Sequence, residues 1–135
     1  MTTTTTTTEK DLPALLEALG VTVKAVQIDH PESAPQWAID HARAYRVTVK
    51  YDGKSTSLFF YSGNGIKGAP SVADVVYALA RDYDSSCYTL KEFGDEFGWS
   101  FETLETYRAV KRNGAKFLRL FPDHDTRQSI AESDY

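Results

Sequence analysis

The chain has 135 residues, of which 41% are hydrophobic and 25% are charged, so it can bury one core, cannot bury two independent ones, and is not intrinsically disordered. The single cysteine, Cys87, excludes an internal disulfide and a thiolate zinc cluster. A net charge of −4 excludes a uniformly basic nucleic-acid coat but leaves a local basic face open. The apolar runs are too short to span a membrane and no secretory signal is visible, so we expect a cytoplasmic protein.

The first part of the chain contains a threonine run, a helix and a strand. Seven consecutive threonines have no apolar face to bury, so residues 1–8 are predicted to form a mobile tail. Residues 9–135 are predicted to form a single α+β domain. Leucines at spacings of three and four predict a helix over Glu9–Gly20. A phase change in the apolar alternation predicts that the strand Val21–Ile28 has a bulge near Ala25.

A hairpin is the clearest local signal. Tyr45–Tyr51 alternates between apolar and polar residues, and Ser57–Ser62 supplies a partner strand. Asp52-Gly53 between them is typical of a type I′ turn, which needs positive φ. The preceding segment, Trp37–Arg43, fits a short helix or a continued loop.

The remainder of the chain has the features of helices. Ser71 is predicted to cap one helix, Thr89 a second that ends at Gly98, and Ser100 a third that extends to about Phe121. Asn113-Gly114 predicts a kink or a break inside the third helix. The order of elements predicts an α+β fold, in which an antiparallel sheet built on the hairpin of residues 45–62 packs against three to four helices. The polar C-terminal segment is expected to be partly helical.

No motif in the sequence predicts catalysis. Residues 63–68 match G-x-G-x-x-G, but they follow the second arm of a hairpin and end before the next helix, so we interpret them as a turn. His30, His41 and His124 do not lie at metal-ligand spacing, and Cys87 has no activating neighbour in the sequence. We therefore expect no enzyme activity, no cofactor and no metal.

The segment from Thr89 to Arg112 has helix-turn-helix spacing. A recognition helix usually offers basic or amide side chains to bases near its N-terminus, whereas this one has Glu102 and Glu105 there. The spacing is therefore interpreted mainly as ordinary helix packing, and direct binding to duplex DNA is not expected. A helix-turn-helix DNA-binding transcriptional regulator is kept as the alternative function.

Charge is divided between two neighbouring segments. Residues 74–105 carry eight carboxylates and two basic side chains, whereas residues 106–121 carry five basic side chains and no carboxylate. Such a division favours docking on a charged partner. The candidate partner-binding residues are Glu92, Asp95, Glu96, Trp99, Glu102 and Glu105. The alternative basic contact face is Arg108, Lys111, Arg112, Lys116 and Arg119.

A series of motifs extends from Tyr45 to Phe121. An aromatic-rich strand and a glycine loop lead into PSVADVVYALARD (Pro70–Asp82), then FGDEFGW (Phe93–Trp99), then TYRAVKR (Thr106–Arg112) and LRLF. In these motifs the chain resembles small accessory proteins of bacteriophages and prophages. The resemblance implies an inhibitor of host defence, such as an anti-CRISPR protein, that acts in the cytoplasm of a bacterial host cell. It implies a host protein or ribonucleoprotein complex as partner, such as a CRISPR effector, and it transfers no active-site residue.

Overall fold

The computed structural model describes residues 11–63 and 68–135. The predicted tail and most of the predicted glycine-rich turn lie outside the described residues. Contacts group the chain into two compact units, one formed by Met1–Val75 with Ser133–Tyr135 and the other by Val76–Glu132. The predicted α+β class is confirmed, since a three-stranded antiparallel sheet is combined with helices.

The first unit contains the sheet. Its elements are α1 (Leu12–Leu19), β1 (Thr22–Ile28), α2 (Gln36–His41), β2 (Arg43–Tyr51) and β3 (Lys54–Ser62). The helix α1 begins at Asp11, whose side chain accepts a hydrogen bond from the Ala14 N–H, and ends at Gly20 with a φ of 79°. Left-handed glycine is a common helix stop, and here it confirms the predicted C-terminus.

The sheet has the strand order β1-β2-β3. Asp52 and Gly53 have φ values of 50° and 76°, so the hairpin closes through the two positive φ angles that a type I′ turn needs. The predicted bulge near Ala25 is wrong, because β1 pairs with β2 in one unbroken register. Val26, which suggested the phase change, points to the solvent side and is 50% exposed. An apolar residue on the outer side needs no bulge to explain it.

Side chains of the sheet alternate between a buried and an outer face. Val47 and Val49 of β2 and Leu58 of β3 are buried. Phe60 is half-buried on the same face, whereas Phe59 is exposed on the other, as expected for neighbours in a strand.

The second unit is helical. It contains most of α3 (Val72–Ser86), together with α4 (Leu90–Phe97), α5 (Phe101–Leu120) and α6 (His124–Glu132). At the start of α4, the Thr89 hydroxyl accepts the Glu92 N–H and the Glu92 carboxylate accepts the Thr89 N–H, which is a complete capping box. Ser100 caps α5 by accepting the Thr103 N–H, so both predicted starts are confirmed.

Gly114 lies inside one continuous helix, so the predicted break in α5 is wrong. A Cβ on Gly114 would lie 2.5 Å from the Ser86 Oγ and 3.3 Å from the Tyr83 Cα. The glycine is needed for the close approach of α5 to α3 rather than for a turn. The described residues form six helices instead of three or four, because α2 and α6 add to the predicted set. None of these helices is both long and apolar enough to cross a lipid bilayer.

Candidate protein-binding site

The turn between α4 and α5 presents three large aromatic side chains to solvent. Phe97, Trp99 and Phe101 are 61%, 63% and 76% exposed. Gly98 turns the chain with a φ of 95°, and Ser100 then starts α5. Clustered exposed apolar side chains mark interaction sites on proteins. We call these three aromatic residues, together with the carboxylates of Asp95, Glu96 and Glu102, the junction surface.

Trp99 is held in place although most of it is exposed. Its ring lies directly against Gly94, where a Cβ would come within 2.5 Å of the ring atoms Cε2 and Cζ2. The indole Nε1 donates to the Asp95 Oδ1 at 3.2 Å, and the Asp95 Oδ2 accepts from the Lys91 Nζ at 2.7 Å. The indole therefore has a defined position, and a preorganised side chain lowers the entropic cost of any binding it takes part in.

An open cavity of about 480 Å³ lies beside the junction surface. Phe93 and Val110 line it as buried apolar groups, and Phe97 and Glu102 line it as exposed ones. Its other lining residues carry hydroxyl groups: Ser85, Ser100, Thr103 and Thr106. The cavity therefore combines apolar walls with a carboxylate and hydroxyl groups.

The predicted carboxylates divide into engaged and free groups. Glu92 is used in the capping box, where the hydrogen bonds from Thr89 lower the pKa of its carboxyl group. Asp95 orients Trp99, and Glu105 forms an ion pair with Arg108 at 3.2 Å. Within residues 11–63 and 68–135, Glu96 and Glu102 have no ion pair and are exposed. These two are the carboxylates most available to a partner.

Asp82, in the same acidic segment, has a packing role. Its carboxylate is half-buried and accepts from the Asn113 Nδ2 at 2.9 Å. Burial raises the pKa of Asp82, while the hydrogen bond from Asn113 and the charge of Arg81 act in the opposite direction.

Four of the five predicted basic residues form a stripe along one side of α5. Arg112 and Arg119 are exposed, and Lys116 lies between them with its pKa lowered by desolvation and by the charges of both. Arg108 precedes them on the same side of the helix and is paired with Glu105. The Lys111 Nζ instead donates to the Ser86 carbonyl at 3.0 Å, so it helps to join two helices.

Two of the side chains considered for metal binding or catalysis, His30 and Cys87, contact backbone carbonyl groups. The His30 Nε2 lies 3.0 Å from the Ala38 carbonyl oxygen and 2.8 Å from that of Ala42, so its ring binds the end of α2. Cys87 is exposed, and its Sγ lies 3.5 Å from the Tyr83 carbonyl oxygen. In the part of the chain that the structure describes, no group of three or more His, Cys, Asp or Glu side chains could hold a metal ion.

No protein-family model matches the chain, and comparison with curated proteins and with solved structures gives no match. The functional argument therefore depends on the geometry of this molecule.

Sequence reasoning included Trp99 in the candidate partner-binding set but left out Phe97 and Phe101. Phe97 fits the apolar stripe of α4, and its ring does contact Phe93, with centroids 4.7 Å apart. Its exposure follows from its place in the last turn of α4, next to the Gly98 turn. Phe101 is flanked by Ser100 and Glu102 at a helix start, and this polar setting was the available signal that the ring faces water.

Proposed function

We propose that this protein is a non-enzymatic binding protein that docks through its junction surface on a basic surface of a partner protein. The observation that carries the proposal is the fixed and exposed indole of Trp99, seated on Gly94 and bonded to Asp95. Tryptophan is among the residues that most often dominate binding energy at interfaces. A surface that keeps such a ring rigid and exposed is suited to recognition.

The charge of the junction surface indicates the kind of partner. Glu96 and Glu102 are exposed in the same segment as the exposed rings, and neither has an ion-pair partner within 4.0 Å in the described chain. CRISPR effectors hold nucleic acid in positively charged channels, so carboxylates on a protein can occupy places that phosphates would take. Together with the resemblance to phage accessory proteins, this supports an inhibitor of a host defence complex, with a CRISPR effector as the partner.

The same residues disfavour the alternative regulator. Glu102 and Glu105 lie in the first two turns of α5, where a recognition helix would approach phosphates and bases. Carboxylates there would repel a duplex, whereas a basic protein surface would attract them.

The test is binding to candidate CRISPR effector complexes co-expressed with the protein, followed by measurement of the dissociation constant for the complex that co-purifies. We expect Trp99→Ala to weaken binding by about thirtyfold or more, since a hot-spot residue contributes about 2 kcal/mol or more. We expect the double reversal Glu96→Lys with Glu102→Lys to abolish binding. These two carboxylates have no hydrogen-bond or ion-pair role in the described structure, so thermal stability should change little.

A matched control reverses two exposed carboxylates of the other unit, Glu17→Lys with Glu32→Lys, and should bind normally. The proposal fails if reversal of Arg108, Arg112 and Arg119 abolishes binding while reversal of Glu96 and Glu102 does not. It also fails if the free protein shifts duplex DNA at low salt and loses that affinity steeply as salt rises, because this is the behaviour of a regulator.

A further inference from the structure

The outer face of the sheet carries cations and no carboxylate. This face is formed by alternate residues of the three strands, from Thr22 to Ile28, from Ala44 to Lys50 and from Ser55 to Tyr61. Its charged side chains are Lys24, Arg46 and Lys50, all exposed. In a chain with 19 acidic and 15 basic residues, a face with three cations alone is a local reversal of charge.

The three cations are available to a ligand. Within the part of the chain that the structure describes, none of them has a carboxylate oxygen within 4.0 Å. Lys24 is diagonal to Lys50 across the strand pair, at about 7–8 Å between backbones. Arg46 precedes Lys50 by four residues, at about 13 Å along β2. The cations therefore form a row along the sheet rather than a point cluster.

Exposed apolar side chains lie on both sides of Arg46, on the neighbouring strands. Phe59 pairs with Arg46 across the strands and is 40% exposed, and the Arg46 guanidinium carbon lies 5.6 Å from the centre of its ring. Val26, on the other side of Arg46, is 50% exposed. At the end of the face, the ring of Trp37, itself 53% exposed, contacts Tyr61 edge-on at 6.2 Å between centroids. The face thus offers flat rings beside cations that have no carboxylate partner in the described part of the chain.

We propose that this outer face binds single-stranded nucleic acid, with phosphates on Lys24, Arg46 and Lys50 and with an unpaired base stacked at Phe59. A sheet surface that combines aromatic side chains with a basic track is a common way to bind single strands, since every base has a flat apolar face. Duplexes hide those faces inside the stack, and acidic peptides offer charge without a stacking ring. The inference goes beyond the proposed function, because it uses a different unit of the chain and a ligand of opposite charge.

The test is fluorescence anisotropy with a labelled 12-nucleotide RNA of mixed sequence, the DNA of the same sequence, and the corresponding DNA duplex. We expect both single strands to bind more tightly than the duplex. Three phosphate contacts predict that the logarithm of the affinity falls with the logarithm of the salt concentration with a slope of about −2. Tighter binding of RNA than of DNA would indicate contacts to the 2′-hydroxyl, and equal binding would indicate backbone and stacking contacts alone; both results support the proposal.

Two variants identify the surface. The triple reversal Lys24→Glu, Arg46→Glu and Lys50→Glu should abolish binding, whereas the charge-matched reversal of Arg108, Arg112 and Arg119 to Glu should not. Phe59→Ala should weaken binding by about tenfold, within the range of one lost base stack. Phe101→Ala, the loss of an equally large exposed ring on the other unit, should leave it unchanged.

Two further measurements keep the test decisive if the triple reversal does not fold. Lys24→Gln with Lys50→Gln removes charge at two exposed positions and should lower the affinity and reduce the salt slope by about 1.4. Amide shifts in a titration with the DNA strand should map to β1, β2 and β3. The proposal is overturned if the duplex binds as tightly as the single strands, if Phe59→Ala has no effect, or if neither single strand binds.

Discussion

Replacement of Gly94 by alanine tests whether Trp99 is seated as described. In most helices, alanine in place of an interior glycine stabilises the protein by about 1 kcal/mol. Here the new Cβ would lie 2.5 Å from the indole, so the ring must leave its position. The substitution therefore sets helix propensity against a tertiary contact.

The magnitude follows from the burial of Trp99. With 63% of the residue exposed, about a third of a large aromatic side chain is buried, or roughly 80–90 Å². At about 25 cal/mol per Å² this contact is worth about 2 kcal/mol, and the exposed hydrogen bond to Asp95 adds about 0.5–1 kcal/mol. After the gain in propensity, Gly94→Ala should destabilise the protein by about 1–2 kcal/mol.

A double-mutant cycle separates the two effects. In a Trp99→Ala background the clash is absent, so Gly94→Ala should stabilise the protein by about 1 kcal/mol. Urea unfolding followed by circular dichroism measures all four proteins, and the expected coupling is about 2–3 kcal/mol. If Gly94→Ala stabilises both backgrounds equally, Trp99 does not lie on Gly94, and the reasoning behind the junction surface fails.

Two other predictions concern the contacts of α3 with α5. Gly114→Ala should lower the free energy of unfolding in urea by about 1–3 kcal/mol, although alanine has the better helix propensity, because the new Cβ would meet the Ser86 side chain. In a Ser86→Gly background most of this cost should disappear. Equal costs in both backgrounds would contradict the close approach of α5 to α3. Burial raises the pKa of Asp82, so the folded state binds its proton more tightly than the unfolded chain does, and the contribution of this group to stability falls as pH rises above about 4. Asp82→Asn keeps an acceptor for Asn113 but cannot ionise. The unfolding free energy of this variant minus that of the parent should therefore increase between about pH 4 and pH 7. A difference that does not change with pH would contradict the buried carboxylate.

Features with short-range causes were predictable from the sequence. The Asp52-Gly53 turn and the caps at Thr89 and Ser100 depend on residues no more than four positions apart, and the structure has them where they were predicted. The same local reasoning was wrong about Ala25, because alternation alone cannot tell an outward apolar side chain from a shift of register.

Features that depend on tertiary contacts were not predictable. Gly114 was interpreted through helix propensity, yet its role depends on Ser86, which is distant in sequence. The acidic segment predicts a binding surface in the α4–α5 region, but the sequence could not show which of its carboxylates are already engaged. Glu92 and Asp95 serve the cap and the indole, and only their hydrogen bonds distinguish them from Glu96.

The first unit is built from two segments that are far apart in the sequence, which affects when it can be completed during synthesis on the ribosome. The Leu12 N–H donates to the Asp134 carbonyl at 2.9 Å, and Asp11 and Asp134 form a parallel bridge. The hairpin of β2 and β3 can form soon after it emerges, since its contacts are local. The bond of Leu12 must wait until the whole segment Val76–Glu132 has been translated, because its acceptor follows that segment. Most of the sheet-bearing unit therefore leaves the ribosome first, but its contacts cannot be complete until Ser133–Tyr135 has been translated.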